Sequence, residues 1–186
     1  MGEKGTQTRD SLLDATQDLI ETAGYFGTGL NTVIAAAGAP RGSLYFHFPG
    51  GKDQLVTEAL RRGGQEVSAL MREVAEAAPD TAAAVTGLLD ALADRLEASS
   101  WRKGCPVATV ALDISASSDT LREVCSDIYR SWESALAARL SADGHPTPDD
   151  TATAILALIE GALLLARVHQ QREPLERVKR VVATLL

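Results

Sequence analysis

Apolar residues recur at helical spacing along nearly the whole chain. Near the N-terminus, Leu12, Thr16, Leu19 and Ile20 fall on one helix face, and Gly24 is a natural helix stop. No segment shows the sustained alternation that is typical of a β-strand. The pattern therefore predicts an all-α protein.

Breaks rich in glycine, proline and aspartate separate nine predicted helices. They cover residues 8–23, 30–37, 40–47, 52–77, 81–99, 105–117, 119–142, 148–170 and 174–185. The short helices lie in the first third of the chain, and most of the later ones are long.

The composition is that of an ordinary globular protein. Hydrophobic residues make up 45% of the 186, which is enough to bury a core without disulfides or metals. The polar N-terminus has no signal-peptide core, and the longest apolar run, 152–168, carries Glu160 and Arg167 and is short for a membrane span. We expect a cytoplasmic protein that does not associate with membranes.

The charge distribution changes the first impression given by the net charge. A value of −7 argues against nucleic acid as a partner. However, no acid occurs between Glu21 and Asp53, while Arg41, His47 and Lys52 all lie in this window. The window indicates either a surface that faces DNA or a small apolar, Gly-rich stretch that contains no acidic residues for an unrelated reason.

The two short helices around Gly38-Ala39-Pro40 have the layout of a helix-turn-helix, although an αα-corner has the same spacing. A recognition helix must enter a major groove about 12 Å wide, so small and long polar residues are expected at its start. Arg41 would reach a base edge or a phosphate, and Gly42 would allow close backbone approach.

Further residues of the second helix, and Lys52 at the start of the next helix, fit the same interpretation. Ser43 and Tyr45 supply hydroxyl groups, and Lys52 supplies a positive charge for phosphate. The apolar residues Leu44, Phe46 and Phe48 are expected to pack against the first helix and Val33/Ile34.

The sequence from Gly24 to Leu55 resembles the DNA-binding domain of TetR-family repressors. The resemblance rests on the Ala-Ala-Gly turn at 36–38, on Gly-Ser-Leu-Tyr-Phe-His-Phe at 42–48, and on Lys52. Less sharply, Gly-Cys-Pro-Val-Ala at 104–108 and Glu-Gly-Ala-Leu-Leu-Leu-Ala-Arg at 160–167 are similar to the LmrA/YxaF-like branch.

This resemblance implies a nine-helix homodimeric regulator, most simply a repressor, that binds double-stranded operator DNA and releases it when a small effector binds. It implies a helix-turn-helix domain at 1–51 and a ligand-binding and dimerisation domain at 52–186. The implied DNA-binding residues are Thr32, Arg41, Gly42, Ser43, Tyr45, His47 and Lys52.

The resemblance also implies two sites in the second domain. Scarce aromatic residues cluster there, and the implied ligand pocket comprises Met71, Leu88, Leu92, Trp101, Cys105, Thr109, Tyr129 and Trp132. The implied dimer interface comprises Ile155, Leu158, Ile159, Ala162, Leu163, Ala166, Val178 and Val182. For both sets the alternative is ordinary packing within one chain. Because the pocket helices offer no obvious cation, we expect a planar, apolar, neutral effector.

Two other functions stay open at this point. The acidic first helix, with Asp10, Asp14 and Asp18, suggests a helical small-molecule-binding protein with weak or lost DNA binding. A redox regulator would use Cys105, which follows Arg102 and Lys103. No metal-ligand spacing and no catalytic motif occurs, so we predict neither a metal, nor a cofactor, nor enzyme activity.

Overall fold

The computed structural model describes residues 3–114 and 116–186, which form nine helices and no strand. The helices are α1 (Glu3–Gly27), α2 (Leu30–Ala36), α3 (Ser43–His47), α4 (Gly51–Ala77), α5 (Thr81–Ala98), α6 (Pro106–Ile114), α7 (Asp119–Ala142), α8 (Pro148–His169) and α9 (Glu173–Leu185). The all-α prediction is confirmed, and each predicted helix has its counterpart. The main differences are that α1 begins earlier than predicted and α3 begins later.

The helices divide into two compact units. Unit 1 contains the chain up to Gly64 together with Pro106–Ser126, and unit 2 contains Gln65–Cys105 together with Asp127–Leu186. Unit 1 therefore includes α6 and the start of α7 as well as the N-terminal helices. The predicted division at 51/52 concerns function rather than packing, and it stays a prediction.

In unit 1, α1 packs against α2, α3 and α6. Leu12 and Ile20 of α1, Val33 of α2 and Leu44 of α3 are fully buried. Thr109 of α6 donates its hydroxyl hydrogen to the Ile20 carbonyl at 2.7 Å. This bond ties α6 to the last turn of α1 before the helix is interrupted.

The interruption is at Gly24, where α1 is kinked. Gly24 has φ 69° and ψ −168°, a conformation available essentially only to glycine. A Cβ at this position would lie 2.4 Å from Oδ2 of Asp113 in α6. The same oxygen accepts a hydrogen bond from the Phe26 amide at 3.3 Å. Asp113 thus occupies the space beside the kink and holds the chain that leads to α2.

Unit 2 is built on α5, α8 and α9. Its buried core consists of Val85, Leu88, Leu89, Ala93, Leu96, Ile155, Ile159, Ala162, Leu163, Ala166, Leu175 and Val182. At the edge of this core, Lys179 of α9 forms ion pairs with Asp90 of α5 and with Glu176. Partly exposed ion pairs contribute little to stability, so apolar burial holds the three helices together.

Helix α8 is, by length and composition alone, apolar enough to cross a membrane. The sequence-based view that its apolar run is too short is therefore wrong for the helix itself. The core helix of a soluble protein passes the same test, and α8 buries one face against α5 and α9.

The kink gives a testable stability prediction. We expect Gly24→Ala to cost about 2–3 kcal/mol of unfolding free energy, because it combines a disfavoured backbone conformation with a clash against Asp113. Gly38→Ala is the matched control: Gly38 also has positive φ (59°), but an added Cβ meets no atom within 4 Å. It should cost only about 1 kcal/mol. Urea unfolding of both variants measures the difference, and equal losses would contradict the role given to Asp113.

Candidate DNA-binding and ligand-binding sites

The turn between α2 and α3 has helix-turn-helix geometry at its centre. Gly38 adopts φ 59°, a left-handed conformation that ends α2. The amides of Gly38 and Ala39 bond back to the carbonyls of Ala35 and Ile34 at 3.2 and 3.1 Å. These bonds satisfy carbonyls at the end of α2 and turn the chain sharply towards α3.

Helix α3 is short, and two apolar side chains hold it in place. Leu44 and Phe48 are fully buried in unit 1, and the guanidinium of Arg9 lies 5.3 Å from the centre of the Phe48 ring. Phe46, however, is 75% exposed, so its predicted packing against the first helix is wrong. Positions 44 and 48 lie four residues apart and share the inner face, whereas position 46 points to the opposite side.

The predicted DNA-contacting residues lie around this exposed side. Thr32, Arg41, Gly42 and Tyr45 are exposed, and Ser43, His47 and Lys52 are partly buried. Arg41 and Gly42 belong to the turn rather than to α3. Gly42 has poor helix propensity, and the Ser43 amide closes a tight turn on the Pro40 carbonyl at 2.9 Å.

The hydroxyl groups of this surface differ in availability. Ser43 donates its hydroxyl hydrogen to the Pro40 carbonyl at 2.6 Å, so this hydroxyl is left to act as an acceptor. Tyr45 differs from Ser43 in that it is 60% exposed, which makes its side chain more accessible.

Lys52 is held by an aromatic ring that sequence reasoning missed. Its ammonium lies 4.2 Å from the centre of the Tyr25 ring, within cation–π distance. The Tyr25 hydroxyl donates to Asp53 Oδ1 at 2.5 Å, and burial together with this carboxylate raises the Tyr25 pKa to about 12. Burial lowers the Lys52 pKa, while Asp53 and Asp113 oppose that effect.

Most of the predicted ligand-pocket residues meet in unit 2. Leu88 is part of the core, and Met71, Leu92, Trp101 and Cys105 are partly buried against it. Thr109 is not brought to this group. It belongs to unit 1, and its hydroxyl donates to the Ile20 carbonyl.

The aromatic residues of unit 2 are fixed in orientation. Tyr129 and Trp132 of α7 contact edge to face, with ring centres 5.5 Å apart. Trp132 is 3% exposed and donates its indole hydrogen to Ser68 Oγ at 3.0 Å. Ser100 and Trp101 both adopt positive φ, 54° and 62°. Two successive non-glycine residues in this conformation store strain, which is commonest at binding sites.

Glu160 of α8 lies beside two of the predicted pocket residues, Tyr129 and Cys105, and sequence analysis did not propose it. Its carboxylate accepts hydrogen bonds from the Tyr129 hydroxyl and the Cys105 thiol. Burial raises the Glu160 pKa, and these two bonds oppose the effect. The signal in the sequence was a single acid inside the apolar run 152–166.

Six of the eight residues of the predicted dimer interface are buried within the chain itself, which favours the alternative of intrachain packing for them, and the interface stays a prediction. Ile155, Ile159, Ala162, Leu163, Ala166 and Val182 are buried in the core of unit 2 by their own chain. Leu158 and Val178 are partly buried. Because α8 is apolar around most of its circumference, periodicity alone did not distinguish the face that α5 and α9 cover from the face left exposed.

The exposed face of the same helices is apolar as well. Leu164, Leu165 and Val168 of α8 are 55%, 50% and 69% exposed, and Val181 and Leu185 of α9 are 45% and 41% exposed. Gly161 lies on the same side of α8, and a Cβ there would meet no atom within 4 Å. We call these six residues the α8–α9 stripe.

Comparison with known proteins agrees with this architecture. Residues 12–59 match the tetR family of bacterial regulatory proteins, and residues 81–181 match the C-terminal domain of LmrA/YxaF-like transcriptional regulators. The chain is 34% identical to the HTH-type transcriptional regulator LmrA of Bacillus subtilis, over 96% of each chain. It is 30% identical to YxaF of the same organism, over 96% of this chain and 95% of that one.

Solved structures share the fold. A TetR regulatory protein from Rhodobacter sphaeroides superposes with a TM-score of 0.87 at 21% identity, covering 95% of this chain and 97% of its own. The relatives are named as transcriptional regulators, which agrees with the prediction that the protein is not an enzyme. The chain belongs to the TetR family, in its LmrA/YxaF-like branch, and is a DNA-binding transcriptional regulator.

Proposed function

We propose that the protein is a cytoplasmic homodimeric repressor that a small, planar, largely apolar effector releases from its operator. The proposed operator-binding residues are Thr32, Arg41, Gly42, Ser43, Tyr45, His47 and Lys52. Residues 1–51 form the DNA-binding domain in this proposal, and residues 52–186 provide ligand binding and dimerisation.

The observation that carries the DNA-binding assignment is that α3 buries one face, while the other face of α3, the turn before it and the start of α2 are exposed. Leu44 and Phe48 anchor the inner face of α3, while Arg41 and Tyr45 project from the unit with Thr32. Residues 22–52 contain no acid, so phosphate groups can approach this surface with little repulsion. In α1, Asp14 forms an ion pair with Arg62 at 2.6 Å, which offsets part of that helix's negative charge.

The homodimer is supported by the α8–α9 stripe. Its large apolar side chains are 41–69% exposed in the isolated chain. Contiguous apolar surface of this kind marks an interaction site, and two helices from each of two copies would bury it symmetrically. Gly161 would let the helix backbones approach closely.

The effector site is supported by the partly buried group in unit 2. Met71, Leu92 and Trp101 lie against the core but retain accessible surface, and Tyr129 adds an oriented ring. An effector that binds better to the DNA-incompetent conformation shifts the population towards it, and the size of this preference limits the response.

Paired substitutions test the operator surface. We expect Arg41→Ala to lower operator affinity by about 1–3 kcal/mol and random-DNA affinity by less, if the guanidinium reads a base edge.

Lys52→Ala should weaken operator binding and random-DNA binding similarly and reduce the slope of log affinity against log salt by about one, because it removes one phosphate contact. Gel shifts on DNA from upstream of the gene supply both numbers. Absence of operator binding by the unmodified protein would favour the alternative function, a ligand-binding protein that has lost DNA affinity.

A charge in the stripe tests the dimer. Leu164→Glu should convert the dimer to a folded monomer, because an unpaired carboxylate buried at an interface costs several kcal/mol. Leu112→Glu is the control, since Leu112 of α6 is 79% exposed and lies outside the stripe. Sedimentation gives the oligomeric state and circular dichroism the helix content. A Leu164→Glu variant that sediments as a stable dimer would place the interface elsewhere.

Tryptophan emission tests the effector site. Trp101 and Trp132 are the two tryptophans of the chain, and both lie in unit 2. A compound that dissociates the operator complex should change their emission on titration. Trp101→Phe should weaken its binding about three- to tenfold through lost contact area and leave operator affinity unchanged. An effector that acts fully on this variant and leaves both indoles unchanged would bind at another site.

A further inference from the structure

The ammonium group of Lys52 lies over an aromatic ring, 4.2 Å from the centre of the Tyr25 side chain. Another cation of unit 1 is held differently, since Arg62 pairs with the carboxylate of Asp14 at 2.6 Å. A carboxylate offsets the charge of the cation that it holds. A ring attracts the ammonium through its quadrupole and leaves the positive charge available to a phosphate.

The Tyr25 ring is itself fixed on two sides. Its hydroxyl donates to Oδ1 of Asp53 in the first turn of α4 at 2.5 Å. Its edge meets the neighbouring Phe26 ring, with ring centres 5.4 Å apart and planes at 82°. The bond to Asp53 joins the segment after the Gly24 kink to the start of α4. The ring is therefore a fixed support for Lys52, which precedes Asp53.

This support lies beside a second residue of the proposed operator surface. The Cε1 atom of Tyr45 is 4.0 Å from the position that a Cβ would take at Gly51, the residue before Lys52. Lys52 is only partly buried, so a phosphate can reach it. A long lysine side chain loses rotamer freedom when it binds, and earlier restraint by the ring reduces that loss.

We propose that Tyr25 is a positioning residue for DNA binding, whose ring holds the charged Lys52 side chain where it meets a DNA phosphate. In this proposal Tyr25 does not contact DNA and acts through Lys52 alone. The inference rests on the phosphate contact of Lys52 in the proposed function.

A double-mutant cycle tests the proposal, with a fluorescein-labelled duplex of random sequence as the probe and anisotropy as the measurement. Tyr25→Leu should weaken binding about threefold to fivefold, because the ammonium loses its cation–π contact. In the Lys52→Ala protein the same change should alter affinity less than about 1.5-fold, because no ammonium remains to be positioned.

Two further variants separate the ring from the packing around it. Tyr25→Phe keeps the ring, removes the hydrogen bond to Asp53 and should recover most of the affinity that Tyr25→Leu loses. Phe26→Leu removes the neighbouring ring, which is 68% exposed, and should leave affinity unchanged. Melting temperatures of all variants show whether the fold is intact.

Nuclear magnetic resonance tests the position of Lys52 in the unmodified protein, and so decides the question even where Tyr25→Leu does not fold. The chain has four lysines, and Lys52→Arg identifies the signal of Lys52 in protein labelled with carbon-13 lysine. The ring current of Tyr25 should move the ε-proton signal of Lys52 upfield, and the signal should stay upfield in the DNA complex. A signal that is not shifted, or that returns to the ordinary position on DNA binding, overturns the proposal.

The affinities also separate this inference from the proposed function. Full affinity in Tyr25→Leu, or an equal loss in the unmodified and Lys52→Ala backgrounds, rejects only the positioning role. Unchanged DNA binding by Lys52→Ala rejects the phosphate contact and this inference with it. Absence of DNA binding by the unmodified protein rejects the proposed repressor itself.

Discussion

The proposed DNA-binding surface depends on the burial of Leu44 and Phe48. A helix of five residues has no independent stability, because its few hydrogen bonds do not offset the entropy of nucleation. Helix α3 therefore exists only where these side chains fix it to unit 1. Their four-residue spacing also determines which side chains of α3 face away from unit 1, and Tyr45 is among them.

Helix positions could be predicted well from the sequence because glycine and proline punctuate it clearly. Gly38 and Gly24 end helical segments as expected, and α8 begins at Pro148. The faces were harder to predict. In an amphipathic helix such as α9, the sequence pattern predicts which side is buried. Helix α8 is apolar on both sides, so the sequence did not show that Ile155 would be buried and Leu164 exposed. Only the packing of α5 and α9 distinguishes them.

The candidate sites were predictable where a residue acts alone and hidden where residues act together. The exposure of Arg41 follows from its place beside a glycine turn. The Tyr25 ring under Lys52, and Tyr129 beside Glu160, join positions 27 and 31 residues apart. Spacing within one helix cannot reveal such pairs. Glu160 is an example. In the sequence it is a single acid in an apolar run, and it served only as evidence against a membrane span.

The ammonium group of Lys52 lies near carboxylates from two different helices, α4 and α6. The carboxylates of Asp53 and Asp113 both favour the charged form of Lys52 and so oppose the lowering of its pKa by burial. Asp113 belongs to α6, which the hydrogen bond of Thr109 ties to α1. In the proposed function, a phosphate at Lys52 would compete with both carboxylates, and the position of Asp113 depends on the packing of α6 against α1. The Asp113 carboxylate is held in turn by the Phe26 amide and by the absence of a side chain at Gly24. If Lys52 contacts phosphate as proposed, a displacement of α6 that moves Asp113 would change the electrostatic field at Lys52, and a helix outside the helix-turn-helix would then contribute to DNA affinity.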